Sequence, residues 1–174
     1  LDAATAGFKE AFEDADVDVT FDEQNANGEQ ATALTIAQQF AGADLDLVLA
    51  VATPAAQASA QNITDIPVLF TAVTDPVSAQ LVDSMESPGG NITGTSDVAP
   101  IEDQLDLLKE LVPGARTVGI VYASGEVNSQ VQVEAAREAA GPRDLEIVTQ
   151  TVTTANDIQQ AVEALGDVDA IYVP

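Results

Sequence analysis

Apolar positions along the chain fall into two rhythms, a helical one with a period near 3.6 and short, nearly continuous apolar runs that suit buried strands. Ala4, Phe8 and Phe12 recur at i, i+4 and i+8 and predict a helix over residues 2 to 13. Val17 to Phe21 alternates apolar and polar side chains and reads as a strand, and Asn27-Gly28 reads as a turn. Ala33, Ile36, Ala37 and Phe40 stripe a second helix ending near Gly42. The runs LDLVLAVA (45 to 52) and PVLFTAV (67 to 73) predict buried strands, with Thr53-Pro54 and Asp75-Pro76 each opening a helix behind them. Pro88-Gly89-Gly90 turns the chain into a short polar strand from Asn91 to Thr95.

The scheme then repeats. Ile101, Leu105, Leu108 and Val112 make one helical stripe, stopped by Pro113-Gly114. TVGIVYA (117 to 123) is a strand, and Val131, Ala135 and Ala139 stripe a helix with Gly141 as its C′ residue and Pro142 just beyond. Leu145 to Val152 is the next strand. Thr154 with Asp157 forms a capping box for a helix through Ile158, Ala161, Val162 and Leu165, and Val168 to Val173 is a last strand. Apolar strands alternating with helices imply an α/β fold whose parallel sheets are covered on both faces. The count suggests two such lobes, 1–95 and 96–174, meeting between Gly94 and Pro100. The chain opens on a helix with no strand before it and closes where a βα loop should begin, so further polypeptide is expected at both ends.

Composition narrows the function. Among 174 residues there are 29 acidic and 5 basic side chains, a formal charge of -24, with no Cys and no His. That charge argues against nucleic acid or an anionic membrane surface as partner. The missing Cys and His remove disulfides, thiol nucleophiles, the commonest general base and the commonest zinc ligands. Catalysis would rest on carboxylates, hydroxyls, Lys9 or Lys109, so an enzyme, a cofactor and a metal site are not expected. No apolar run reaches membrane-spanning length, and no signal-peptide pattern opens the chain. The acidic excess reads either as a solvated, solubilising surface or as adaptation to high salt, where counter-ions screen self-repulsion.

Ligands of open parallel sheets bind beyond the carboxyl ends of the strands. Four such ends carry small polar residues: Ala52-Thr53-Pro54, Val73-Thr74-Asp75-Pro76, Ala123-Ser124-Gly125 leading to Asn128-Ser129, and Val152-Thr153-Thr154. Each alone is most simply a helix cap; several together suggest a shared cleft. A helix N-terminus at Thr53 suits a ligand carboxylate, and Asp75 suits an ammonium, which together would read an amino-acid zwitterion. Tyr122 is placed for either core or cleft, and Phe70 for the core. GxGxxG, P-loop and GxSxG motifs are absent, and the N-x-T triplets at Asn62 and Asn91 carry little weight.

The runs ALTIAQQFAGADLDLVLAVATPAAQA (33 to 58), IPVLFTAVTDPVSAQLV (66 to 82), PGGNITGTSD (88 to 97), QLDLLKELVPGARTVGIVYASGEVNSQVQVE (104 to 134) and DVDAIYVP (167 to 174) closely resemble one family. It is that of the ABC-transporter substrate-binding proteins related to tryptophan- and tyrosine-binding lipoproteins. The resemblance implies a type I periplasmic-binding-protein fold of two Rossmann-like lobes that close on a small hydrophobic or aromatic amino acid. It also implies an extracytoplasmic, lipid-anchored monomer docking on a membrane permease. By position it assigns ligand contacts to Thr53, Ala55, Ala56, Thr71, Asp75, Ser96, Asn128 and Ser129, with Asp97 beside Ser96 at the crossover. A ligand-sensing domain of a regulator or receptor with the same fold is the alternative. A receiver-like phosphorylation domain fits poorly, because its acidic pair and its lysine are missing.

Overall fold

The computed structural model describes residues 1–174. They divide into two compact units, Leu1–Val98 and Ala99–Pro174. In the first unit, helices α1 (Asp2–Asp14) and α2 (Gln30–Ala41) precede strand β1 (Val48–Val51). Helix α3 (Thr53–Asn62), strand β2 (Val68–Val73) and strand β3 (Ile92–Ser96) follow. The strands pair in the order β1-β2-β3, all parallel. The boundary drawn from sequence between residues 95 and 96 therefore falls inside β3, which keeps pairing with β2 as far as Ser96 opposite Val73.

The core of this unit gathers Val48, Ala50, Val68, Phe70, Val73 and Ile92 from the sheet with Ala56 of α3 and Ile63 just after it. α2 lies against α3 through Ala33, Ala37 and Ala58, where methyl groups alone let the two backbones approach closely. Two sequence expectations are corrected in this unit. Val17 to Phe21 forms no strand, because no neighbouring backbone offers it a ladder; alternation specifies faces, not partners. Asp75-Pro76 opens a single turn rather than a helix. Ala79 donates to the Asp75 carbonyl (3.0 Å) and Leu81 to the Pro76 carbonyl (2.9 Å), and Gln80 at φ 59° ends it. Leu81 and Val82, which follow this turn, are both buried in the core of the unit.

In the second unit, α4 (Ile101–Leu111), β4 (Thr117–Ala123), α5 (Val127–Ala140), β5 (Glu146–Val152), α6 (Ile158–Ala164) and β6 (Ala170–Tyr172) give a parallel sheet ordered β5-β4-β6. Since both crossovers start or end beside the central β4, right-handed connections put α5 and α6 on opposite faces. Alternation along β4 agrees. Val118 and Ile120 join Val133 and Ala136 of α5 in the core, while a Cβ on Gly119 would meet Leu165 and Val168 beyond α6. Asp169 ties β6 to β4 by accepting from the Arg116 N–H (2.8 Å), the Thr117 N–H (2.9 Å) and the Thr117 hydroxyl (2.9 Å). The Thr154–Asp157 capping box forms, around a short 3₁₀ turn that leads into α6.

The end of α5 departs from expectation. Gly141 is helical (φ -54°) and continues into a 3₁₀ turn, and the left-handed residue is Asp144 (φ 53°). Leu145 donates to the Ala140 carbonyl (3.1 Å) and Asp144 to the Gly141 carbonyl (3.2 Å), the paired bonds of a Schellman ending displaced three residues along the chain.

Gly94 is where β3 crosses Phe70: a Cβ there would overlap the Phe70 carbonyl group and press on its ring. The carbonyl cannot move without breaking the β2 ladder. Gly94→Ala should therefore destabilise the protein by about 3 kcal/mol, a fall of roughly 6–12 °C in Tm for a chain of this size, read by thermal denaturation. An unchanged Tm would show that β3 sits farther from β2 than described.

Candidate functional site

The register lines up the carboxyl edge of the first sheet. Val51 lies opposite Thr71 and Val73 opposite Ser96, so Thr53, Thr71, Asp75 and Ser96 all occur where β1, β2 and β3 end. This edge is held by backbone geometry unusual for its residues. Ala52, between β1 and α3, has φ 81° and ψ 156°, a conformation normally reserved for glycine. Its N–H donates to the Thr71 carbonyl (2.9 Å), and its carbonyl accepts from Ala56 (3.0 Å), so it is pinned from both sides. Ala72, the next residue of β2, has φ 55°, and the β2–β3 register shifts between Phe70 and Val73.

Thr53 is therefore the first helical residue of α3, not its N-cap, and it is buried. With Pro54 lacking an N–H, Thr53 and Ala55 remain as the first-turn donors without a helical acceptor. Ala56 differs from expectation: its N–H is spent on Ala52 and its methyl is fully buried in the core, so it supports α3 rather than facing a ligand. The Thr71 hydroxyl meets the Thr95 hydroxyl at 3.1 Å. Ser96 is exposed at the end of β3, and the N–H of the exposed Asp97 continues the ladder by donating to the Val73 carbonyl (3.0 Å).

Asp75 caps its own turn. Its carboxylate accepts from the N–H groups of Val77 (3.0 Å) and Ser78 (3.1 Å) and from the Ser78 hydroxyl. The Ser78 hydroxyl, aided by the two amides, holds the carboxyl below the ordinary carboxylate range against an opposing cost of partial burial. Asp75 is thus charged at neutral pH and half-buried, and its turn is tied to α3 by Gln57, whose amide donates to the Ala79 carbonyl (3.2 Å).

In the second unit Asn128 and Ser129 occupy the first turn of α5, just after β4 ends. Ser129 is buried, and its hydroxyl donates to Glu126 (3.3 Å). The Gln130 amide donates to the Ser124 carbonyl (2.6 Å) and closes the preceding loop. Asn128 Oδ1 is buried without a hydrogen-bond partner, a position a native protein seldom leaves unfilled. Tyr122 packs against the core of this unit, and Phe70 lies in the core of the first.

Sequence reasoning missed Thr95, Gln57, Glu126, Gln130 and the strained pair Ala52 and Ala72. The usual cue for a left-handed backbone is glycine, which neither strained position carries. A wide, shallow depression lined by Pro67, Pro88, Gly89, Asn91 and Thr93 lies at the opposite, amino ends of β2 and β3, away from these groups. Asn91 there donates to the carbonyls of Ile63 (3.0 Å) and Ile66 (2.7 Å), and Asn62 to that of Ala58 (2.8 Å), so both N-x-T asparagines have structural work. No three acidic side chains converge to hold a metal ion, and no helix is long and apolar enough to cross a membrane.

Two parallel α/β units with polar groups gathered at strand carboxyl ends define a protein of the periplasmic-binding-protein type. The family model for ABC transporter substrate binding proteins matches residues 1–174, and the chain belongs to that family. It is 41% identical over 179 residues to a tyrosine-binding protein of Clostridioides difficile, a match covering 100% of this chain and 52% of that protein. A Streptococcus pneumoniae ABC domain solved in complex with L-Trp has a TM-score of 0.93 at 38% identity, covering 97% of this chain and 59% of the solved one. A conserved domain protein from Vibrio cholerae gives 0.94 at 37% identity, covering 98% and 60%. The chain thus spans about half the length of the curated relative it matches.

Two outcomes follow from this geometry. Ala52→Gly should remove backbone strain and raise stability by about 1 kcal/mol, seen as a Tm increase of a few degrees; a decrease would mean the alanine conformation is unstrained. Asp75 has a depressed folded pKa, so its stabilisation is complete above the unfolded value near 3.9 and is lost as pH falls through the lower folded value. Exchange of the Val77 and Ser78 amides should accelerate, relative to intrinsic rates, only below about pH 4. Loosening of the turn at higher pH would contradict the capping role.

Proposed function

We propose that this chain is the amino-acid-binding part of an extracytoplasmic solute receptor that feeds an ABC importer, and that it acts by binding rather than by chemistry. The ligand carboxylate is received by the free N–H groups of Thr53 and Ala55 at the positive end of α3. The ammonium is received by Asp75, whose carboxylate stays ionised and, with four lone-pair sites, keeps acceptor capacity beyond its three turn bonds. Thr71 and Ser96 border this edge. The family resemblance also assigns ligand contacts to Asn128 and Ser129, and the unpartnered Asn128 Oδ1 is the observation that carries the reading, since a bound donor would satisfy it.

The ligand class is a small hydrophobic or aromatic L-amino acid. Support comes from the tyrosine-binding relative and from the neighbour solved with L-Trp, at 41% and 38% identity. The partner that would receive the ligand is a membrane permease, with the receptor as a monomer held to the membrane by a lipid anchor.

A thermal-shift screen of the twenty amino acids followed by calorimetry tests this. Tryptophan or tyrosine at a hundredfold excess over Kd should stabilise by about 2.7 kcal/mol, a Tm rise of roughly 5–10 °C. Asp75→Asn, which keeps an acceptor for the turn but loses the charge, should weaken that binding about tenfold or more while Tm moves by only a few degrees. No response to any amino acid from folded protein would remove the proposal, and an unchanged Kd in Asp75→Asn would remove the ammonium role alone.

A further inference from the structure

The charge of this chain has a structural consequence that ligand binding does not use. Four of its five cations are committed to local duties: Arg143 binds Asp106 (2.7 Å) and Glu102 (3.5 Å), and Arg137 binds Glu134 (3.3 Å). Lys109 donates to the Ala115 carbonyl (3.0 Å), and Lys9 pairs with Glu23. Five bases cannot neutralise 29 acids, so most carboxylates face solvent and one another. None is gathered into a metal cage, which leaves mobile counter-ions as the means of offsetting the repulsion.

The repulsion is uneven. Between Glu10 and Glu23 the chain also carries Glu13, Asp14, Asp16, Asp18 and Asp22, with Lys9 the one base nearby. Packing is thin here too. No residue of α1 is buried. What fastens α1 to the segment after it is a trio of rings, Phe8–Phe12 (5.1 Å between centroids), Phe12–Phe21 (5.9 Å) and Phe8–Phe21 (6.4 Å), with Lys9 Nζ 5.6 Å from the Phe21 centroid. Phe8 and Phe12 are half-buried and Phe21 is exposed, so the trio gains only part of the burial an inner cluster would.

We propose that diffuse counter-ion screening is what allows this chain to keep its native fold, making it a salt-requiring protein, and that α1 with residues 15–21 is the first part released as ionic strength falls. The Debye length shortens from about 10 Å at 0.1 M salt to about 3 Å at 1 M, which spans the spacing between neighbouring carboxylates of such a segment. Aromatic contacts hold at both concentrations, whereas the repulsion opposing them fades as salt is added. The effect is non-specific, so sodium and potassium act alike.

Melting of the 174-residue chain in 0.1 M and 1 M KCl or NaCl, with hydrogen exchange at each concentration, tests the proposal. Tm should rise by about 10 °C in both salts. Amides of Asp2–Asp14 should exchange at least about tenfold faster at low salt, while those of β4 and β5 change much less. A variant carrying Glu10→Gln, Glu13→Gln, Asp14→Asn and Asp18→Asn should keep α1 protected at low salt. A flat Tm, a response to one cation only, uniform exchange along the chain, or an unaltered salt response of α1 in the variant would each overturn it. The last would indicate salting-out of apolar surface in place of screened charge.

Discussion

Parallel pairing is the constraint from which the other features of this chain descend, because a parallel strand must be reached by a crossover and must be covered on both faces. In each unit the strands all point the same way, so every strand end that leads into a helix opens on one edge. That edge collects helix N-termini, whose unpaired N–H groups and positive dipole ends favour a carboxylate, and it does so without any residue being selected for chemistry. Polar residues stand at these strand ends in each unit: Asp75 after β2 and Ser96 at the end of β3 in the first, Asn128 and Ser129 after β4 in the second.

Maintaining the edge has a local cost. Ala52 adopts a glycine-like conformation and Ala72 a left-handed one at neighbouring strand ends, each worth on the order of 1–3 kcal/mol. Such geometry survives only where its surroundings fix it. Here the Ala52–Thr71 backbone bond, the Ala56–Ala52 bond, the buried Thr53 and the Gln57 tie to Ala79 supply that restraint. An alanine in place of glycine also narrows the unfolded ensemble and leaves the native backbone with fewer alternatives. The donors of Thr53 and Ala55 are consequently held in place by the fold itself, so a ligand received there would cost less ordering entropy.

Much of this was legible in the residues. The apolar runs gave β1, β2, β4 and β5, because buried parallel strands need side chains that suit both faces, and the i, i+4 stripes gave α1, α2 and α4. What failed has a common cause: partners distant in sequence. Val17 to Phe21 has strand alternation but no neighbouring ladder. Asp75-Pro76 carries every local signal for a helix start, yet the chain leaves helical geometry at Gln80 after one turn and enters the core at Leu81 and Val82. Gly141 looked like a helix terminator, whereas the chain turns at Asp144, where Leu145 must reach the core. The Thr71–Thr95 contact depends on β2–β3 register, which no local pattern reports. Family motifs named candidate site residues along the chain; geometry adds that the Ala56 N–H is already used, which no motif reports.

Net charge bears on which solutes such an edge can accept. A protein at -24 repels small anions before they approach, and the field of a single helix end extends over about one turn. A zwitterionic amino acid has no net charge to be repelled or steered, so its selection falls to contacts made at hydrogen-bond distance. In the proposed reading, the free N–H groups of Thr53 and Ala55 would act on one end and the Asp75 carboxylate on the other. Short-range contacts of this kind are also those that salt screens least, since little solvent lies between the partners. An acidic exterior screened by counter-ions and ligand contacts made at hydrogen-bond distance are therefore compatible, and the one could vary without changing the other.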